Sequence, residues 1–192
     1  MNLKKETMKP TLLFVPGLRD HVEEHWQTIL ARKIDGAQTV PPLERNKLSC
    51  AARVAALEEA IGKIDGPVVL AAHSAGVMIA VHWAAAQNQS RQVQGALLAA
   101  PADLESPLPQ GYPSFDLIGT NGWLPIPRSK LPFPAIVVAS TNDPLARLDR
   151  IEGYAADWGA RLVNAGAVGH LNPAAGFGEW KMAETLLHEL GR

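Results

Sequence analysis

Val69-Leu70-Ala71-Ala72-His73-Ser74-Ala75-Gly76-Val77 is the stretch on which the fold turns. With Pro67-Val68 ahead of it, an uncharged apolar run leads directly into a serine. A segment rich in Ala, Val and Met follows from Ala75 to Gln87. The run is too short for a helix and does not alternate, so it reads as a strand buried on both faces. The residues two before and two after the serine, Ala72 and Gly76, are small. A strand that turns sharply into a helix through a serine needs small neighbours, because the strained serine backbone brings them close. This is the setting of a nucleophile elbow, G-x-S-x-G, with alanine replacing the first glycine. The letters alone are a weak signal, and their place between strand and helix gives them meaning. The plainer alternative is a strand–helix turn in which Ser74 caps the helix.

On either side the same alternation recurs. Thr11–Val15, Gln38–Val40, Gly95–Ala100, Ala135–Ser140 and Arg161–Asn164 read as strands. Helical spacing occupies Glu23–Lys33, a segment from the cap Ser49 to Gly62, Leu145–Trp158 and Glu179–Leu190. Alternating strands and helices require crossovers, and therefore a mostly parallel sheet of about six strands covered on both faces. The predicted class is α/β, as a single domain over residues 11–192 behind a disordered tail at 1–10. Met1 and Met8 are both possible starts.

Composition narrows the function. Eighteen Lys+Arg against 19 Asp+Glu give a net charge of −1. Without a basic cluster there is no field for nucleic acid or an acidic membrane. After the polar N-terminus, Thr11–Val15 is only five residues before Pro16-Gly17, far short of a signal-sequence core or a membrane span. The single cysteine, Cys50, cannot form an internal disulfide or a Cys-type zinc site and fits a reducing, cytoplasmic setting.

A serine hydroxyl is a poor nucleophile unless a base takes its proton and an acid orients that base. After such an elbow the expected chain order is Ser, Asp or Glu, then His. Of the later histidines, His82 and His188 fall in predicted helices. His170 lies in the loop Gly169-His170-Leu171-Asn172, at the carboxyl edge of the sheet, and is the expected base. Asp143, directly after the Ala135 strand, is the expected acid, with Asp103 as the alternative. Backbone N–H groups of Ala75 and of Leu18, in the turn after the first strand, are the expected oxyanion donors. Triad and oxyanion hole suffice for acyl transfer, so no metal or organic cofactor is implied.

Two other patterns compete. His21 and His25 are four apart, but Val22 stands where a zinc-protease motif needs Glu, and no clear third ligand follows. Between Pro101 and Pro134 lie eight prolines, with Leu108, Tyr112, Phe115, Leu117 and Trp123 scattered among them. Such a connection reads as an insertion over the sheet edge or as an apolar rim beside the site. On the second reading Leu108, Phe115 and Trp123 contact substrate.

The motifs Val15-Pro16-Gly17, Glu24-His25-Trp26, Ala72-His73-Ser74-Ala75-Gly76, Ser140-Thr141-Asn142-Asp143-Pro144, Trp158-Gly159-Ala160, Gly169-His170-Leu171-Asn172 and Gly176-Phe177-Gly178 together resemble the small serine hydrolases related to retinoblastoma-binding protein. That family lies within the alpha/beta-hydrolase superfamily. The resemblance runs from about Leu12 to Leu187. It implies a compact alpha/beta-hydrolase fold without a large cap domain, and the roles of nucleophile, acid and base for Ser74, Asp143 and His170. The family's L-x-C-x-E signature is incomplete here, since Leu48-Ser49-Cys50-Ala51-Ala52 lacks the Glu, so no protein partner is indicated. The expected activity is cleavage of a small carboxylic ester, thioester or amide. The alternative is a protein-binding module that keeps the hydrolase shape without meaningful turnover.

Overall fold

The computed structural model describes residues 8–86 and 92–191. The expected tail therefore lies mostly outside the described residues, as does Gln87, the expected end of its helix. Six strands form one parallel sheet: β1 (Thr11–Val15), β2 (Gln38–Thr39), β3 (Val68–His73), β4 (Val93–Ala99), β5 (Ala135–Ala139) and β6 (Arg161–Asn164). Their order is β2-β1-β3-β4-β5-β6. The chain winds outward in one direction from β1 and in the other from β3. The carboxyl ends of β1 and β3 thus flank the switch point, where α/β sheets open a crevice for ligands.

Period-two alternation divides the strand side chains between two cores. Leu13, Val15, Leu70, Ala72, Leu98 and Val137 pack with helices α2 (Cys50–Gly62) and α3 (Ala75–Ala86) on one face. Phe14, Val69, Ala71, Leu97 and Val138 pack on the other with α1 (Trp26–Lys33) and a C-terminal helix, Lys181–Leu190. With both faces covered, all six β3 residues are buried. Glycine and caps end the helices where the sequence suggests. The Ser49 hydroxyl accepts from Ala52 N–H ahead of α2. Gly159 takes the left-handed conformation (φ 63°) after the helix at Leu148–Trp158.

The connection from β4 to β5 holds a short helix, α4 (Phe115–Thr120), capped by Ser114; the helices Leu148–Trp158 and Lys181–Leu190 are α5 and α6. The far part of this connection is packed down firmly. Trp123 Nε1 donates to Leu48 O at 2.7 Å, and Trp158 Nε1 donates to Pro127 O at 2.9 Å. Arg128 pairs with Glu105 and Asp157 and lies over the Tyr154 ring. Among the described residues, no helix is long and apolar enough to cross a membrane.

Candidate active site

β3 ends at His73, and α3 begins at Ala75, leaving Ser74 alone between them with φ 58°. Left-handed backbone is uncommon for a residue with a Cβ, and it marks a position held against strain. Ser74 N–H donates to Ala99 O at 3.1 Å and Val77 N–H to Ser74 O at 3.0 Å, which fixes the turn from both sides. Gly76 lets α3 sit against the end of β1. A Cβ on it would lie 2.1 Å from Val15 O and 2.7 Å from Pro16 O. The small-residue rule of the sequence thus has a specific cause here, a helix start pressed onto a neighbouring strand's carbonyls.

The structure brings Ser74, His170 and Asp143 together. His170 Nε2 is 2.9 Å from Ser74 Oγ, and His170 Nδ1 is 2.8 and 3.0 Å from the two Asp143 carboxylate oxygens. The carboxylate fixes the proton on Nδ1, leaving the Nε2 lone pair to accept from the serine hydroxyl. Asp143 also accepts from Leu145 N–H at 2.8 Å. The two loops are tied to each other. Asn142 Oδ1 accepts from Gly169 N–H at 2.7 Å, and Ser140 Oγ accepts from Val168 N–H at 3.2 Å. His170 stands between Gly169 (φ 58°) and the buried Leu171 (φ 47°), both in left-handed backbone.

Asp103, the alternative acid, lies elsewhere in the network. It accepts from Tyr154 Oη, Ser106 Oγ, Glu105 N–H and Arg150 Nε, and none of its bonds reaches His170. Burial, with the Asp103 and Glu105 carboxylates beside it, pushes the Tyr154 hydroxyl well above its ordinary pKa. His82 Nε2 donates to Trp123 O at 3.0 Å.

A cavity of about 380 Å³ opens over Ser74, within the usual size range of small-molecule sites. Leu18 and Ala75 both line it beside the serine. The turn carrying Leu18 closes through Asp20 N–H to Gly17 O at 3.1 Å. Arg53, only 5 % exposed, clamps that turn by donating to Asp20 Oδ1 at 2.7 Å, Leu18 O at 3.4 Å and Lys47 O at 2.6 Å. Across the mouth, the Arg19 guanidinium lies 5.5 Å from the centre of the Tyr112 ring, a cation–π contact.

The 101–134 connection plays both of its expected parts, on different residues. Ala102, Leu104, Leu108, Tyr112 and Pro113 form an apolar wall of the cavity. Phe115 and Trp123 do not line it, contrary to the sequence expectation. Phe115 opens α4 with 41 % exposure, and Trp123 is fully buried with its N–H held by Leu48 O. Cys50, of the incomplete L-x-C-x-E segment, is buried as the first residue of α2, and burial pushes its thiol up to about 11.

Two neighbours of the triad had no place beside it in the sequence reading, which weighed His25 only against a zinc motif. His73, wholly buried, donates from Nε2 to His170 O at 2.8 Å, bracing the loop of the candidate base. Burial first, then the neighbouring His170 and His25, hold its pKa well below the ordinary value, so it stays neutral. His25 lines the cavity and caps α1, its Nδ1 accepting from Gln27 N–H at 3.2 Å. Neither belongs to a metal site: among the described residues no cluster of His, Cys, Asp and Glu could hold an ion.

A parallel sheet, an elbow at its switch point and a Ser–His–Asp chain define an alpha/beta hydrolase. The serine hydrolase family model matches residues 12–189, and the chain belongs to that family. The solved structure of a putative YdeN-like hydrolase from Pectobacterium atrosepticum is 30% identical, with a TM-score of 0.78, over 95% of this chain and 91% of that one. The ydeN gene product of B. subtilis is 18% identical with a TM-score of 0.69, over 94% and 98% of the two chains. Mouse alpha/beta hydrolase domain-containing protein 10 is 13% identical with a TM-score of 0.68, over 99% and 95%. At those lower identities the likeness speaks to the fold alone. Comparison with curated proteins finds no match.

Proposed function

We propose that this chain cleaves a small carboxylic ester, thioester or amide through an acyl-enzyme on Ser74. His170 takes the hydroxyl proton as Ser74 Oγ attacks the carbonyl carbon, and the carbonyl oxygen becomes an oxyanion. The N–H groups of Leu18 and Ala75 donate to that oxyanion, on a turn that Arg53 keeps rigid. His170 then gives its proton to the leaving group as the bond to carbon breaks. Water repeats the sequence on the acyl-enzyme, releasing the acid and restoring Ser74. Asp143 keeps the imidazole in the tautomer that accepts from serine, and stabilises the imidazolium formed in between.

The observation that carries the reading is the hydrogen-bond chain Asp143–His170–Ser74, ending on a strained serine that faces a cavity. The apolar wall of Leu104, Leu108 and Tyr112 supports a short acyl group, since among the described residues no long helical cap covers the cavity. A panel of p-nitrophenyl esters of rising acyl length tests the proposal. Acetyl and butyryl esters are expected to be cleaved, and the Ser74→Ala variant to be silent on all. Much faster cleavage of dodecanoyl than of butyryl esters would contradict the acyl-chain assignment. Unchanged turnover in the alanine variant would contradict the mechanism.

A further inference from the structure

Among the cavity residues that the mechanism leaves unused is His25. His25 sits at the start of α1, its ring meeting the His73 ring edge-on at a centroid distance of 4.5 Å. The His73 ring lies 4.8 Å from that of His170. Because Nδ1 of His25 accepts from Gln27 N–H, a neutral ring must carry its proton on Nε2. Burial, with His170 nearby, lowers the His25 pKa to about 4, so the ring is neutral in ordinary buffers. Among the described residues, Trp26 Nε1 is the sole fully buried side-chain nitrogen or oxygen without a hydrogen-bond partner. Nε2 of His25 has no partner among the described residues either, yet it is not one of the fully buried atoms, and the residue lines the cavity. The result is a neutral N–H donor on a ring held by a helix cap and an edge-on aromatic contact.

Its side of the site gives it a task. The oxyanion is to face Leu18 and Ala75, whereas the leaving group must lie within reach of His170, which protonates it. The His25 ring is linked to that of His170 through His73, and both residues line the cavity. We infer that His25 Nε2–H donates to the leaving group, so that the preferred substrate is an ester whose alcohol carries a second, hydrogen-bond-accepting oxygen. This inference rests on the Ser74 reading. A neutral donor already open to solvent adds a modest net preference, of the size expected for one hydrogen bond.

The test uses two acetate esters of nearly equal shape, 2-methoxyethyl acetate and n-butyl acetate, which differ by an ether oxygen in place of a methylene. The readout is the ratio of their kcat/KM values on one sample, which is independent of how much of that sample is folded. His25→Asn places an amide where Nδ1 was, so it can keep the cap, but it is too short to present a donor at the Nε2 position. His25→Gln places an amide nitrogen near Nε2 and gives up the cap. The expected result is a methoxyethyl-to-butyl ratio about fivefold lower in His25→Asn than in wild type, and kept within twofold in His25→Gln. A ratio that is unchanged in both variants overturns the inference. So does a ratio that falls equally in both, which would make His25 only a packing residue. Wild type that cleaves neither ester overturns the assignment of His25, and it overturns the Ser74 reading only if p-nitrophenyl acetate and butyrate are not cleaved either.

Discussion

Gly76→Ala isolates the contact that shapes the elbow. The added methyl carbon would stand 2.1 Å from Val15 O, 2.7 Å from Pro16 O and 3.0 Å from Pro16 C. All three are backbone atoms at the end of a central strand, so no side chain can swing aside. Relief to an ordinary contact needs a displacement of about 1 Å between the start of α3 and β1, judged from the shortest of these distances. Overpacking of this kind costs about 1–3 kcal/mol. The same displacement moves Ser74, two residues away, relative to His170 and to the Leu18 turn. A misplacement of about 1 Å lowers catalysis on the order of 10²-fold. Urea unfolding measures the first effect and p-nitrophenyl acetate hydrolysis the second. Gly17→Ala is the internal comparison: its Cβ would lie 3.2 Å from Ser74 Cβ, a tight contact without a backbone clash, so the effect is expected to be smaller. Stability within about 0.5 kcal/mol of wild type and activity within threefold for Gly76→Ala would refute this account of the elbow.

Further outcomes follow from the same geometry. Asp143→Asn should keep the fold and lower kcat by about 10⁴, the loss found when a serine protease triad loses its carboxylate; Asp103→Asn should change kcat less than tenfold but lower stability by about 1–3 kcal/mol, since it strips a buried network. The reverse pattern in steady-state kinetics would move the acid role to Asp103. Stability should fall on acidification, because His25, with a folded pKa of about 4 against an ordinary 6.5, binds a proton only after unfolding in that interval. Its contribution is complete above about pH 6.5 and lost as pH falls toward 4, at up to about 1.4 kcal/mol per unit, and the buried His73 acts in the same direction. Urea midpoints at pH 7, 6 and 5 that do not decline would contradict this.

The sheet was legible because its strands are short apolar runs closed by Pro, Gly and Asn, and because burial on both faces removes polar residues from them. Boundaries moved where caps decide them. The predicted Glu23–Lys33 helix starts at Trp26 because His25 supplies the cap, and the helix predicted from Leu145 starts at Leu148 because Arg147 keeps extended backbone. α4 was hidden by the surrounding prolines, although Ser114 two residues after Tyr112 is a fair cap signal. Ser74, Asp143 and His170 were readable from their loop positions after strands. Phe115 and Trp123 were misread because an aromatic residue in a loop carries no mark of which side it faces. His73 and His25 were missed for a related reason. A histidine inside a buried strand, or at a helix start, has the same letter whether it packs, braces a neighbour or lines a cavity. The one available signal was the clustering of three histidines at the ends of β3, α1 and the last loop, all of which the topology brings to one sheet edge.

The central claim is that His170 activates Ser74. Reaction with a fluorophosphonate probe, followed by peptide mass analysis, tests it most directly. One adduct per chain is expected, on Ser74, and nearly none in His170→Ala, whose folding is checked by its unfolding midpoint. Folded wild-type protein that stays unlabelled at pH 8, or that is labelled on another serine, would contradict it.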